Sequence, residues 1–376
     1  MPRWLLLLTL LINLLVPAAT SAQPALPPTI EAFEAVMRAW TEKHRVYRAT
    51  LAVSRQGRLV LSQGYGDAAP DTPMHVGSIS KSITAACIAT LVQAGRLDWT
   101  STVGETLAEF FARAGAPRDP RVLAITIEQL LSHRAGFGSA AGDPWYNALR
   151  NLLRYKRMAA ISMADILEVG LGTPLGSAPG ETYRYSNFGY QTLGMIVEAR
   201  TGKPYGEYCR KAVFEPVGGT VSRLSPRWSI IWATGGWQIR APEYLAFLKA
   251  FDDDNDILFT AATKRWLKSA DGKWTSNRRS PFYSLGIRIQ PEADGRLTLS
   301  HGGRLDLALS DTTEGALHSD YGASMTRAHF GASWFVAYQP WPGMAAILEI
   351  DQELWRAAHA VTEWPTTDLF PALGLR

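Results

Sequence analysis

The chain has 376 residues, of which 47% are hydrophobic and 19% charged. That balance suits a folded protein with a large core and excludes a disordered polyelectrolyte. With 38 basic and 34 acidic residues the net charge is +4, too small a surplus to point to nucleic acid or an anionic membrane as partner. Two cysteines, and seven histidines without an H-E-x-x-H pattern, make no zinc signature, so neither a metal nor a cofactor is expected.

The first residues read as an export signal. Arg3 gives a positive start, residues 5–16 form a short apolar run broken by Thr9 and Asn13, and Thr20-Ser21-Ala22 offers small residues for cleavage. The run is shorter than a comfortable bilayer span. Residues 1–22 are therefore expected to be a bacterial-type signal peptide. The mature protein is expected to be periplasmic or secreted, without stable membrane insertion. Cys87 recurs with Ile79, Ile83 and Leu91 as a helix-core residue. Two separate thiols is the reading favoured for Cys87 and Cys209, although spacing alone leaves a disulfide open.

Pro24, Pro27 and Pro28 mark an exposed leader before a helix over about 29–44. Strand-like runs at 49–54 and 58–63 flank the turn-forming Gln56-Gly57. A helix opens near Ser78 and stops at Gly95. From about 101 to 271 the pattern is mostly helical, punctuated by glycine and proline. The run Asp252-Asp253-Asp254-Asn255-Asp256 lacks the glycine and distal glutamate of an EF-hand loop and reads as a solvated loop. Strand character returns over 283–289, 297–301, 334–339 and 344–350, and a last helix is expected from about Asp351. Strands at both ends imply an α/β (α+β) architecture. Residues 23–100 and 272–376 would share one sheet domain, residues 101–271 would form an inserted all-helical domain, and the active site would lie between them.

The chemistry starts at Gly77-Ser78-Ile79-Ser80-Lys81. Ser78 and Lys81 sit one turn apart on one face at a helix start. A serine hydroxyl needs a base beside it to act as a nucleophile, and a desolvated lysine can lose its proton and serve. Alone, S-x-x-K also describes a capped helix start. Two companions sharpen it. Tyr185-Ser186-Asn187 places a phenol and an amide on one side of an extended segment, and His301-Gly302-Gly303 ends a strand where glycine admits a substrate main chain.

These three motifs resemble the serine β-lactamase and penicillin-binding-protein family. The branch is that of class C β-lactamases, D-peptidases and family VIII esterases, and the resemblance runs over about 28–348. It is strongest over 74–97, over 125–137 with Leu130-Leu131-Ser132-His133-x-x-Gly136, and over 180–217. Gly235-Gly236-Trp237 and the following Ala241-Pro242-Glu243-Tyr244-Leu245 resemble the family's helical-region glycine pair and the helix after it. The resemblance implies a β-lactamase/transpeptidase-like fold, an antiparallel sheet flanked by helices. It makes Ser78 the nucleophile, Lys81 its proton partner and Tyr185 the general base and acid. Asn187 would bind substrate, and Gly303 or Arg304 would supply the second oxyanion N–H beside His301 and Gly302. His133 is expected to be structural.

The chain departs from the family at the third motif. His-Gly-Gly stands where β-lactamases of this branch carry Lys-Thr-Gly, which weakens recognition of a substrate carboxylate. Arg304-Leu305-Asp306-Leu307 follows in place of a further glycine, residues 308–330 look inserted, and His329-Phe330-Gly331 is a second, less favoured H-x-G. Trp145, Trp232 and Trp237 fall where a pocket wall is expected, although core packing accounts for most tryptophans. The expectation is a serine hydrolase acting on a small-molecule or peptide ester, amide or β-lactam. An esterase or D-peptidase is favoured, a β-lactamase is the near alternative, and a non-catalytic binder of the same fold is the rival from another class.

Overall fold

The computed structural model describes residues 25–138, 142–157, 160–271, 273–276, 281–311 and 315–376, so the expected signal peptide lies outside the described residues. Helix α1 (Glu31–Lys43) leads into strands β1 (Arg48–Arg55) and β2 (Arg58–Gly66). Gln56 (φ 48°) and Gly57 (φ 75°) join the strands, the paired positive-φ geometry of a tight hairpin. The short β3 (Met74–His75) precedes α2 (Ser80–Gln93). Then come α3 (Ile127–Leu131), α4 (Pro144–Leu152), α5 (Asn187–Thr201) and α6 (Tyr205–Cys209). Strand β4 (Arg223–Leu224), α7 (Trp232–Gly235), β5 (Trp237–Ile239) and α8 (Ala241–Leu248) follow. Strands β6 (Phe282–Ser284), β7 (Ile287–Pro291), β8 (Leu297–Asp311), β9 (Gly315–Arg327) and β10 (Ala332–Gln339) lead to helix α9 (Met344–Ala360).

Seven strands make one antiparallel sheet in the order β2-β1-β10-β9-β8-β7-β6, joining the two ends of the chain. The central strands β1 and β10 are buried on both faces because the side-chain period of two serves two layers. On β10, Trp334, Val336 and Tyr338 pack with Phe33 and Trp40 of α1 and Leu354 of α9, while Phe335 and Ala337 face the core around α2. Helix α2 is buried almost all round, so its apolar residues show no single stripe and its one lysine has no route to solvent. This is the expected fold class: an antiparallel sheet flanked by helices, with helical chain between its terminal strands.

Several local expectations change. Residues 344–350 are the first turns of α9, not a strand. The burial of Ala346, Ile350, Leu354 and Ala357 follows helical spacing, and a short apolar run does not distinguish the two periods. The run 283–289 is two short strands turning at Leu285-Gly286, both at positive φ. The apparent insertion extends the β8–β9 hairpin, whose register runs from Leu299↔Arg327 to Asp311↔Gly315. Cys87 and Cys209 are joined by a disulfide between α2 and α6, with Cα atoms 5.4 Å apart, against the favoured reading of separate thiols. A sequence separation of 122 hides that proximity from any local pattern. In the acidic run, Asp252 pairs with Arg327, Asp253 with Lys268 and Asp256 with Lys264.

Trp334 is fully buried between the sheet and both terminal helices. Trp334→Ala is expected to lower unfolding stability by about 3–5 kcal/mol in denaturant titration, the usual scale for deleting a buried large aromatic. A change below about 1 kcal/mol would mean that this layer does not carry the fold.

Candidate active site

Ser78 lies in a single 3-10 turn (Gly77–Ile79) that feeds directly into α2, so Lys81 follows one turn later on the same face. Two glycines let strand β8 run against that turn. A Cβ on Gly77, which has φ +50°, would lie 2.7 Å from the Arg304 nitrogen, and one on Gly303 would lie 1.8 Å from the Val76 carbonyl oxygen. Only glycine fits at either position. The main chain at Gly303-Arg304 is thereby held against the Ser78 turn.

The lysine is the centre of the polar network. Lys81 Nζ donates to Ser78 Oγ at 3.2 Å, to Asn187 Oδ1 at 2.7 Å and to the Thr234 carbonyl at 2.9 Å, and its side chain is fully buried. Burial pulls its pKa down to about 7, while the Asp143 carboxylate acts the other way. Tyr185 hydrogen-bonds Ser78, and its ring centroid lies 4.9 Å from Lys81 Nζ. Burial of the phenol pushes its pKa up, partly offset by the bond to Ser78. The residue as a whole is 37% exposed, on its cleft side. The phenol is thus protonated near neutral pH, and Lys81 is the basic group of the site that most readily gives up its proton.

His301 stands on β8 beside this network but not as a cation. Its Nδ1–H donates to the Gly302 carbonyl at 2.7 Å, and Nε2 accepts from the Tyr283 hydroxyl at 2.8 Å. Burial, and then the charge on Lys81, bring its pKa down to about 3. The charged side chains nearby are Arg288 on β7 and Arg304, whose guanidinium carbon sits 3.6 Å from the centroid of the Trp341 ring. His329 contacts Thr298 at 3.2 Å, at the start of β8, and lines neither lobe of the cleft. His133 is buried, takes the Ser186 N–H on Nδ1 at 3.1 Å, and packs its ring 4.2 Å from that of Tyr185.

Ser78, Tyr185 and Arg304 are shared by two lobes of one cleft. The first, of about 440 Å³, is walled by Asp143, Trp145, Tyr146, Asn187 and Ile231. The second, of about 520 Å³, is more apolar, with Trp341, Met344 and Ile347 facing Tyr283 and His301. The structure thus gathers Ser78, Lys81, Tyr185, Asn187, His301, Gly302, Gly303 and Arg304 around one cleft. Of the three tryptophans singled out, Trp145 lines it; Trp237 is buried against Phe214 and Tyr205. Sequence reasoning missed Asp143, the Thr234 carbonyl, Tyr283 and Trp341. Asp143-Pro144 carries a helix-start signature, but nothing local tells that its carboxylate reaches α5.

A buried neutral imidazole has a consequence for stability. The unfolded chain protonates His301 below about pH 6.5 and the folded chain does so only near pH 3. Stability is therefore complete above pH 6.5 and falls as pH drops through that window, by up to about 1.4 kcal/mol per pH unit for this group. NMR titration should find the His301 ring neutral from pH 8 to 5. A midpoint near 6.5 would restore it as a cationic substrate ligand.

A family model described as Beta-lactamase matches residues 33–356 of the chain. Protein flp of Staphylococcus aureus (strain NCTC 8325 / PS 47) is 26% identical over 185 residues, covering 47% of this chain and 34% of the relative. The chain therefore spans about a third of the length of the curated relatives it matches. Among solved structures, the octameric penicillin-binding protein homologue from Pyrococcus abyssi gives a TM-score of 0.69 at 18% identity, over 91% of this chain and 79% of that one. EstCE1, a hydrolase with promiscuous acyltransferase activity, gives 0.68 at 16%, over 86% and 98%. At such identities the likeness shows a shared fold. The family match spans most of the chain and takes in the Ser78 turn, the Tyr185 segment and the Gly303 strand: this chain belongs to the beta-lactamase family.

Proposed function

We propose that this protein is an exported serine hydrolase that opens an ester, amide or lactam bond through an acyl-enzyme on Ser78, with an esterase or D-peptidase-like preference for neutral substrates. The observation that carries the reading is the fully buried Lys81 ammonium nitrogen 3.2 Å from Ser78 Oγ, its pKa brought down to about 7. In its neutral form that amine takes the Ser78 proton as Oγ attacks the substrate carbonyl carbon. The backbone N–H groups of Ser78 and Arg304 would hold the oxyanion where β8 meets the serine turn. Tyr185 gives its proton to the departing oxygen or nitrogen and recovers one from the Lys81 ammonium, so no phenolate accumulates. Water then attacks the acyl carbon, its proton leaves through the same pair, and Ser78 departs with its proton restored. Export rests on the leader pattern at 1–22, and the Cys87–Cys209 disulfide suits an oxidising compartment.

A fluorophosphonate probe should label one site, mapped to Ser78 by mass spectrometry. Labelling that persists in Ser78→Ala would refute the assignment. Lys81→Ala and Tyr185→Phe should each slow acylation by about 10²-fold or more; near-normal rates in Tyr185→Phe would remove the phenol from the mechanism.

One observation favours a second reading, a β-lactamase or carboxylate-recognising peptidase: Arg304 is a fixed cation at the junction of both lobes. The neutral His301 and the apolar wall of Trp341, Met344 and Ile347 weigh toward uncharged substrates. A matched pair of neutral and anionic esters, compared by kcat/KM across about pH 5.5–8.5, separates the two. The proposal expects the neutral ester to be preferred. A strong preference for the anion that is flat with pH and lost in Arg304→Ala would establish the second reading.

A further inference from the structure

We infer that Asp143 is a positioning residue for acylation: its single carboxylate pins the Tyr185-Ser186-Asn187 segment in place and sets the negative charge that faces Lys81. The inference rests on the acyl-enzyme reading above.

Asp143 caps its own helix, α4, by accepting the Trp145 N–H at 2.8 Å. The same carboxylate reaches across to another helix, accepting the Asn187 N–H at 2.7 Å and the Phe188 N–H at 3.3 Å in the first turn of α5. The Ser186 hydroxyl also donates to it, while that oxygen accepts from the Gly189 N–H at 3.1 Å. One side chain therefore fixes the starts of two helices at the residue whose amide oxygen receives Lys81 Nζ. An alanine here would release three backbone N–H groups beside the nucleophile. Asn187 would then be free to rotate away from the lysine.

The second part of the role is electrostatic. Asp143 lines the first lobe of the cleft, which Ser78 also lines, and acts on Lys81 through space. Four other titratable groups face the lysine: Tyr185 and Tyr190 from the α5 side, His133 from the turn after α3, and His301 from β8. Beyond Asp143 on the cleft side lie Tyr146 and Arg304. The two histidines are held neutral and the tyrosines are un-ionised near neutral pH, so Asp143 is the anion of this cluster. Burial raises the Asp143 pKa above the ordinary carboxylate value, and the donated hydrogen bonds oppose that rise without cancelling it. Removing the charge lets desolvation act on Lys81 unopposed. The amine then stays neutral to lower pH, and the acid limb of acylation moves down with it.

Asp143→Asn tests this because it keeps the shape and an acceptor oxygen while discarding the charge. Acylation of Ser78 by a fluorophosphonate or a neutral aryl ester is followed from pH 5 to 9, with Tm recorded alongside. The expected result is an acid limb displaced to lower pH by about half a unit or more, together with slower acylation at its plateau. Asp143→Glu, which keeps the charge but misplaces the caps, should lose plateau rate with the limb unmoved. It also serves as the folded comparison if the asparagine variant is unstable. An unshifted limb in folded Asp143→Asn, or a shift of the same size in Asp143→Glu, overturns the inference. Failure of the wild-type protein to label at Ser78 would instead refute the acyl-enzyme reading itself.

Discussion

A lysine with no exposed surface sits at the junction of α2, α5 and α7, and the site is organised around keeping it there. Burying an ammonium is costly, and the molecule meets the cost with three acceptors at hydrogen-bond distance and a carboxylate nearby. What remains of the penalty appears as a depressed pKa, the property that the proposed role as a base requires. The acceptors come from three separate elements. The serine turn, the α5 start and the α7 carbonyl must all be in register before Lys81 can be buried at all. The side chain proposed to act as the base thereby also ties three elements together.

The same constraint explains features with no direct chemical role. Helix α2 must be enclosed on every side, which the sheet does from one face and α5, α6 and α7 do from others. The Cys87–Cys209 disulfide ties α2 to α6. Gly286 lets the β6–β7 turn close over the Lys81 backbone, where a Cβ would come within 2.4 Å of the Lys81 carbonyl oxygen. His133 and Tyr283 pack against Tyr185 and close the site from the β6 side.

Much of this was legible in the sequence because the three motifs are local. Ser78 and Lys81 share a helix turn, Tyr185 and Asn187 share a short segment, and the strand glycines mark a close approach. The fold class followed from strands at both chain ends. What was not legible is relational. Asp143 looks like any helix cap until α5 is brought against it. The cysteines look independent across 122 residues. His301 resembles a titrating ligand until its Tyr283 and Gly302 partners are seen. Residues 344–350 looked like a strand because alternation and helical spacing coincide over a few apolar positions, and only the burial of Ile350 and Leu354 against the sheet decides between them.

Lys81 can act as a base near neutral pH only if its amine loses a proton there, and that amine can be titrated directly. Heteronuclear NMR of lysine Nζ and Cε resonances, with the Lys81 signals assigned by their loss in Lys81→Met, gives the midpoint in the folded protein. The buried network predicts a midpoint near 7. A midpoint near 10.4, the ordinary lysine value, would show the ammonium to be charged throughout the working range and would contradict its role as the acceptor of the serine proton.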